Sequence, residues 1–368
     1  MDRKRLTHLD LSANKLASVH NLQCLPSLTH LDLSNDELSS FGEDVFNPSV
    51  VTRSTWNGHK KLYTLRLKNN SLSSLNLTHF PNLEYLDIDT NRLSSISGLS
   101  FCTRLRTLSA RSQSLSSPTD YQSLLTSIFI NADIHTLFLS QNALPTLSLP
   151  PTSLLNLCTL ELASTGLTTL PDEFGQLCPN LRYLNLNFNA LKDLRPLLNV
   201  KRLESLHVAG NRLARLRKPA AVLAMLGSLK QLDLRDNPIS IGFYGPITEN
   251  RLTLRWGKPK LNQQDAEDDS DSDEGDGEHG RFELPPADPD ADAKYKDRLD
   301  EDTMLRRRVY EMLLANSCKG LAVLDGLRFG RKKVLVKDAV WERLVQLGIL
   351  RKSAKDMTIA DGSVGGLE

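Results

Sequence analysis

Ten copies of one pattern, LxxLxLxxNxL, constrain this chain more than any other feature. They begin at Leu6, Leu28, Leu62, Leu83, Leu105, Ile134, Leu157, Leu181, Leu203 and Leu229. The cleanest, LRYLNLNFNAL, runs from Leu181 to Leu191. Successive starts lie 22, 34, 21, 22, 29, 23, 24, 22 and 26 residues apart. A unit this short cannot bury its own apolar side, so the copies must stack on one another.

Each pattern position has a physical duty. Leucines at the fourth and sixth positions, such as Leu184 and Leu186, fall on one side of a short strand and fill a core. The ninth position turns the chain out of the strand, where a polar side chain has to satisfy backbone groups. Asn both donates and accepts, and it stands there at 14, 70, 91, 142, 189, 211 and 237. Asp36, Gln113 and Thr165 replace it and still offer hydrogen bonds. The expected fold is an α/β repeat solenoid, a right-handed leucine-rich repeat superhelix with a concave parallel sheet. Repeats of this length leave too little chain for a full helix on the outer side. The two long intervals mark insertions: residues 39–61 as a loop, and 118–130, PTDYQSLLTSIFI, as a helix on the convex side.

The pattern stops after Leu234, then returns for one strand at LAVLDG, Leu321 to Gly326. A terminal repeat exposes its leucines unless something covers them. Leu305, Val309, Met312 and Leu313 are spaced as one face of a helix, so a helix, a final strand and an amphipathic end are expected to form a C-terminal cap. Phe243, Tyr244 and Trp256 are expected to fold back onto it. The expected organisation is residues 1–239 as repeats, 240–261 as a post-repeat segment, 262–302 as an acidic disordered insertion, 303–350 as the cap and 351–368 as a flexible tail. No amphipathic cap precedes Leu6, so the chain reads as the C-terminal part of a longer protein.

Charge supports that division. The formal net charge is +1, but residues 265–302 hold 17 acidic against 4 basic groups, which leaves the rest of the chain 41 basic against 27 acidic. The run DAEDDSDSDEGDGE has too little apolar content to fold, and Ser270 and Ser272 stand in the acidic context used by acid-directed kinases. Five scattered cysteines form no CxxC pair or terminal disulfide cluster, which fits a reducing compartment. No signal core precedes the first repeat, and no long apolar run suggests a membrane span. The chain reads as intracellular.

NPISIGFYGP after the last full repeat, the charged insertion, LRRRVYEMLLANSCKGLAVLDGL, and the end KDAVWERLVQLGIL together resemble the fungal scaffold of the spindle pole body. The likeness runs over about residues 1–350, and the order of Phe243-Tyr244, Tyr310 and Leu324-Asp325-Gly326 carries it. That family organises the septation initiation (mitotic exit) network and is distantly related to animal centriolin. The resemblance implies a scaffold module in the cytoplasm and cytoskeleton at the spindle pole body. It also implies a protein partner, either a structural protein of that body or a network component. Family members carry a long N-terminal region that recruits network kinases and a small-GTPase regulator; no counterpart stands in this chain.

Pattern positions 3, 5, 7 and 8 point onto the concave surface. Most are small or polar, against which Tyr85, Phe138, Tyr183 and Phe188 stand out, with Asp87, Glu161, Asn185 and His207 beside them. Aromatic side chains on an open concave face are anchors for a partner segment, so these eight are the expected protein-binding residues. Phe138 and Tyr183 are expected to project away from the core. Arg306, Arg307 and Arg308 with Arg331, Lys332 and Lys333 form a second candidate, a basic cap patch suited to acidic or phosphorylated peptides. No GxxxxGK loop, GxGxxG turn, HExxH helix or GxSxG elbow occurs. The histidines lack metal-ligand spacing, and the carboxylates at 10, 32, 87 and 233 recur too regularly for a tuned acid–base pair. No cofactor, metal, nucleic acid, membrane or small-molecule substrate is expected. The competing readings are a repeat subunit regulating an enzyme such as a protein phosphatase, and a fragment of a fungal cyclase suggested by LTTLPDEFGQL.

Overall fold

The computed structural model describes residues 5–42, 59–130, 133–149, 154–245, 282 and 284–350. Each of the ten pattern copies supplies one three-residue strand, from His8–Asp10 in the first to Gln231–Asp233 in the tenth. These strands pair in parallel and in sequence order within a twelve-stranded sheet. Register is set by the leucine at position 4: Leu9 faces Leu31, Leu184 faces Leu206, and Leu206 faces Leu232. From Leu31 on, the position-4 leucines are buried in one continuous core that runs from Leu22 to Leu324, and Leu9 packs half-buried against it.

The ninth-position asparagines tie one repeat to the next. The Asn91 amide donates to the carbonyls of Ile88 (2.9 Å) in its own repeat and Leu67 (3.0 Å) in the one before, while its oxygen accepts from Leu72 N–H at 3.0 Å. Asn189 repeats this with Leu186, Leu162 and Leu167. Asp36 accepts from the Asn14 and Leu16 amides but has nothing to donate. Gln113 keeps both halves of the job, reaching Ile88 O and accepting from Leu93 N–H. Thr165 keeps its own-repeat bond to Leu162 O.

The insertion expected to be helical is a helix, Pro118–Phe129, started by the Ser117 side chain and burying Tyr121, Leu124, Leu125 and Ile128. Of the other insertion, residues 43–58 lie outside the described residues. Its first residues, Ser40–Phe41, pair with Ser74–Leu75 in a separate two-stranded sheet.

The tenth strand is joined on its far side by Val323–Leu324, with Leu232 facing Leu324 across 92 residues of sequence. LAVLDG is therefore the eleventh parallel strand, and the chain does return to finish the solenoid. It then turns back at once: Leu327–Arg328 pairs antiparallel with that strand. Both turn residues have positive φ, Asp325 at 55° and Gly326 at 79°, the conformation that two-residue Asp-Gly hairpins require. The sequence pattern registered the strand and missed the hairpin.

A helix, Glu301–Ser317, lies over this end. Tyr310, Leu314 and Cys318 join the repeat core, with the Phe243 and Tyr310 rings 5.4 Å apart. Leu305, Val309, Met312 and Ala315 face outward onto a second cluster with Val334, Leu344 and Leu350. The helix is thus a middle layer. Of the expected apolar face, Leu305, Val309 and Met312 form its outer side; Tyr310 and Leu314 form the inner one. Order also begins before residue 303, since Pro289–Lys296 is a helix capped by the Asp288 side chain. Composition hid it because none of its side chains is buried. Residues 262–281 of the acidic stretch, together with Ser270, Ser272 and Trp256, lie outside the described residues.

Candidate functional site

Fifth- and seventh-position side chains cover the concave face, and the two halves of that face differ. In the first repeats it is open. Asp10 is exposed, Asp32 and Arg66 are half-buried with their charges 3.6 Å apart, and the His8 and His30 rings stack at 4.2 Å in solvent. Desolvation, then the positive charge of His8 and Arg66, holds His30 below the usual histidine range. Tyr85 is half-buried with the Arg66 guanidinium 5.9 Å from its ring. Burial raises its phenol above the ordinary value, and Asp87 and Asp89 add to this. Asp87 itself is buried, and that burial together with Asp89 pushes its carboxyl up to about 7.

From the fifth repeat onward the face is a buried polar network. Arg111, 3% exposed, makes a two-pronged pair with Glu161 (2.7 and 3.1 Å) and reaches Asp89 at 3.5 Å. Burial works against its charge, but Glu161 and Asp89 more than offset this and keep it ionised. Its guanidinium lies 4.2 Å from the Phe138 ring centre. Phe138 and Tyr183 lie outside the leucine core cluster, on the concave side, but at 6% and 7% exposed they are covered rather than open anchors. Phe138 is held under a guanidinium, and Tyr183 packs against His207 at 5.3 Å. His207 is itself buried, with Ser205 Oγ 2.8 Å from Nε2.

The last side chains lie under a strap formed by the end of the acidic segment. Phe282 N–H donates to Glu161 Oε2 at 2.9 Å, and Asn185 Nδ2 donates to Phe282 O at 2.5 Å. The Phe282 ring meets Phe188 edge-on at 6.0 Å. Further along, Arg235 Nη1 donates to Pro285 O at 3.1 Å, and Ala287 N–H donates to Gly326 O at 3.1 Å. Gly326 is required here twice over, by its φ and because a Cβ would stand 2.7 Å from Ala287 N.

The basic candidates do not come together. Successive residues on a helix point about 100° apart, so Arg306, Arg307 and Arg308 diverge. Arg307 is buried, bound to Asp292 (2.6 Å), Glu311 (3.0 Å) and Phe243 O (2.7 Å) beneath the Tyr244 ring. Arg306 pairs with Asp302, Arg308 with Asp338, and Arg331 donates to Ala315 O. Lys332 and Lys333 remain exposed. The residues that carried the family resemblance meet in one place: Tyr244 and Tyr310 hydroxyls both donate to Asp325 Oδ2, at 2.6 and 2.7 Å. They are a structural lock. Sequence reasoning missed Arg111, Asp89, Arg235 and Phe282; charged residues at positions 5 and 7 of neighbouring repeats were the signal for the first three. Among the described residues no group of His, Cys, Asp and Glu is placed to hold a metal, and no helix is long and apolar enough to cross a membrane.

Residues 4–46 match the family described as Leucine Rich repeats (2 copies), and residues 155–213 match Leucine rich repeat. Each matched span holds strands of the parallel sheet. The fold is a leucine-rich repeat solenoid. Over 255 residues it is 28% identical to the septation initiation network scaffold protein cdc11 of Schizosaccharomyces pombe, covering 68% of this chain and 23% of that protein. This repeat protein and that scaffold are homologous, and the chain spans about a quarter of the scaffold's length. Among solved structures, the Toll–Spatzle complex of Drosophila aligns at 20% identity over 64% of this chain and 33% of that one, TM-score 0.47. The APL1 leucine-rich repeat domain aligns at 22% identity over 64% and 63%, TM-score 0.44.

Proposed function

We propose that this chain is a non-enzymatic protein-binding module that anchors components of the septation initiation network at the spindle pole body. The observation that carries the reading is the homology to a scaffold of that network, joined to a continuous concave sheet of outward side chains. On this reading the concave face is the docking surface, in two parts. A partner meets the open part, around His30, Asp32 and Tyr85, directly. The part around Glu161, Asn185 and Phe188 is reached only past the strap, with Tyr183 and His207 packed beside it and Phe138 beneath Arg111. Partners are a structural protein of the spindle pole or another network component, and no cofactor enters the function. Live imaging of the fluorescently tagged chain in fission yeast tests this. A focus at each spindle pole, weakened when Asp32→Lys and Tyr85→Ala are combined, supports it; a diffuse signal with the chain intact overturns it.

A further inference from the structure

We infer that the concave groove over the seventh to tenth repeats is a peptide-recognition site and that the strap from Phe282 to Ala287 is its tethered resident ligand. An external protein segment of the same chemistry takes the groove when the strap leaves. That chemistry is an extended stretch with an aromatic residue, an aliphatic residue two positions on and a proline after it, as in Phe282, Leu284 and Pro285. The inference rests on the concave face being the docking surface of a scaffold, and it names the class of partner segment.

The contacts are those of recognition. On the concave face three polar groove side chains meet the strap's main chain: Glu161 takes the Phe282 amide, Asn185 gives to the Phe282 carbonyl, and Arg235 gives to the Pro285 carbonyl. Main-chain contacts of this kind hold any extended segment, and the side chains in alternate pockets supply selectivity. Here selectivity comes from the Phe282 ring against Phe188 and from Leu284, which is 5% exposed. The strap adds no strand to the sheet, and the core cluster filling the solenoid contains neither Phe282 nor Leu284. Removing it uncovers a surface without emptying a core.

The groove also keeps its shape without its occupant. Glu161 is clamped by Arg111, Arg235 is bound at 2.6 and 3.0 Å by both oxygens of Asp233, and Asn185 Oδ1 is held by Asn187 N–H at 3.0 Å. A binding site held by its own neighbours loses little freedom on binding. The competition is unequal, however. A segment on a short tether has an effective concentration of about a millimolar, far above any free partner, and the apparent affinity of a partner falls by the fraction of chains with the groove vacant.

The test uses the full chain and a fluorescein-labelled peptide, RFELPPAD, copied from residues 281–288, read by fluorescence anisotropy. The peptide is expected to bind the Phe282→Ser, Leu284→Ser chain at least tenfold more tightly than the intact chain. Adding Asn185→Ala and Phe188→Ala to that chain is expected to abolish the gain. Equal binding to the intact and strap-weakened chains, or binding indifferent to the groove changes, overturns the inference. If the strap-weakened chain fails to fold, amide exchange decides: excess peptide must release the Phe282 amide of the intact chain while repeat amides stay protected, and continued Phe282 protection overturns the inference. Spindle-pole recruitment is read separately, so a chain that binds peptide but never localises counts against the scaffold reading and leaves this one standing.

Discussion

One pattern position has opposite surroundings at the two ends of this solenoid. Asp10 holds position 5 of the first strand and is exposed; its main contact is the Ser12 amide two residues on. Asp325 holds the same pattern position in the turn after the eleventh strand and is fully buried, accepting from Tyr244, Tyr310 and the Leu234 amide. The leucines behind both do the same work. What differs is the layer in front, which at the C-terminal end is supplied by chain that has left the repeats and come back. Inward positions of a repeat are set by the repeat; outward positions are set by whatever the rest of the chain brings to them.

The largest expected effect tests that contrast directly. Asp325→Ala strands three buried donors, each costing about 1–3 kcal/mol, and denaturant unfolding is expected to show a loss of about 4 kcal/mol. Asp10→Ala removes one exposed local bond and should change stability by less than about 0.5 kcal/mol. Comparable losses at the two ends would show that the cap adds nothing at this position.

The next pair compares outward carboxylates in mid-sheet. Glu161→Gln leaves the buried Arg111 without its main counter-charge, and breaking a buried pair costs about 3 kcal/mol. Asp32→Asn weakens a half-exposed pair to Arg66 and is expected to cost under about 0.5 kcal/mol, since exposed pairs contribute little. Thermal unfolding of the two variants side by side sharpens the comparison. Similar shifts would mean that the covered half is solvated after all.

The leucine spacing carried most of the fold, because burial of positions 4 and 6 is enforced within each repeat and its neighbours. It carried the return of LAVLDG too, since the tenth repeat's core had to be closed. The site was less legible. Phe138 and Tyr183 were expected as open anchors because the pattern places their Cβ atoms on the concave side, and it does. Their burial depends on Arg111 and on the paired ring of His207, which no single repeat specifies. The strap was invisible for a different reason: Phe282 lies 121 residues from Glu161, within a stretch whose composition argued against any order. In the basic triplet, charge in sequence did not become a surface, because a helix spreads three adjacent residues around its axis.

Acid is expected to weaken the open half through His59. This ring is buried at the start of the third repeat beside Phe80, at 5.9 Å. Burial lowers its pKa from 6.5 to about 4, against a bond to the Leu22 backbone that raises it. The unfolded chain therefore takes up a proton that the folded chain refuses. Its stabilising contribution is complete above pH 6.5 and is lost as pH falls toward 4, by roughly 2 kcal/mol at pH 5. Denaturant unfolding at pH 7 and pH 5 checks this, with His59→Gln expected to show a loss smaller by about that amount. An equal loss in the variant would place the acid sensitivity elsewhere.

Asp87 should act in the reverse sense at the boundary between the halves. Burial first, and the neighbouring Asp89 second, lift its carboxyl from 3.8 to about 7. The folded chain thus holds a proton that the unfolded chain has already released, and stability falls as pH rises from about 4 to about 7. Asp87→Asn removes the titration and keeps an oxygen to accept the Asp89 amide, as Asp87 Oδ1 does at 3.0 Å. The eighth repeat already carries Asn185 at this position, accepting from Asn187 N–H in the same way, so the strand tolerates the amide. The variant is expected to gain about 1 kcal/mol at pH 8 and close to nothing at pH 4, because a neutral side chain then stands there in both proteins. Unfolding curves at the two pH values decide it. A gain that is the same at both would mean that Asp87 is not strained by its charge.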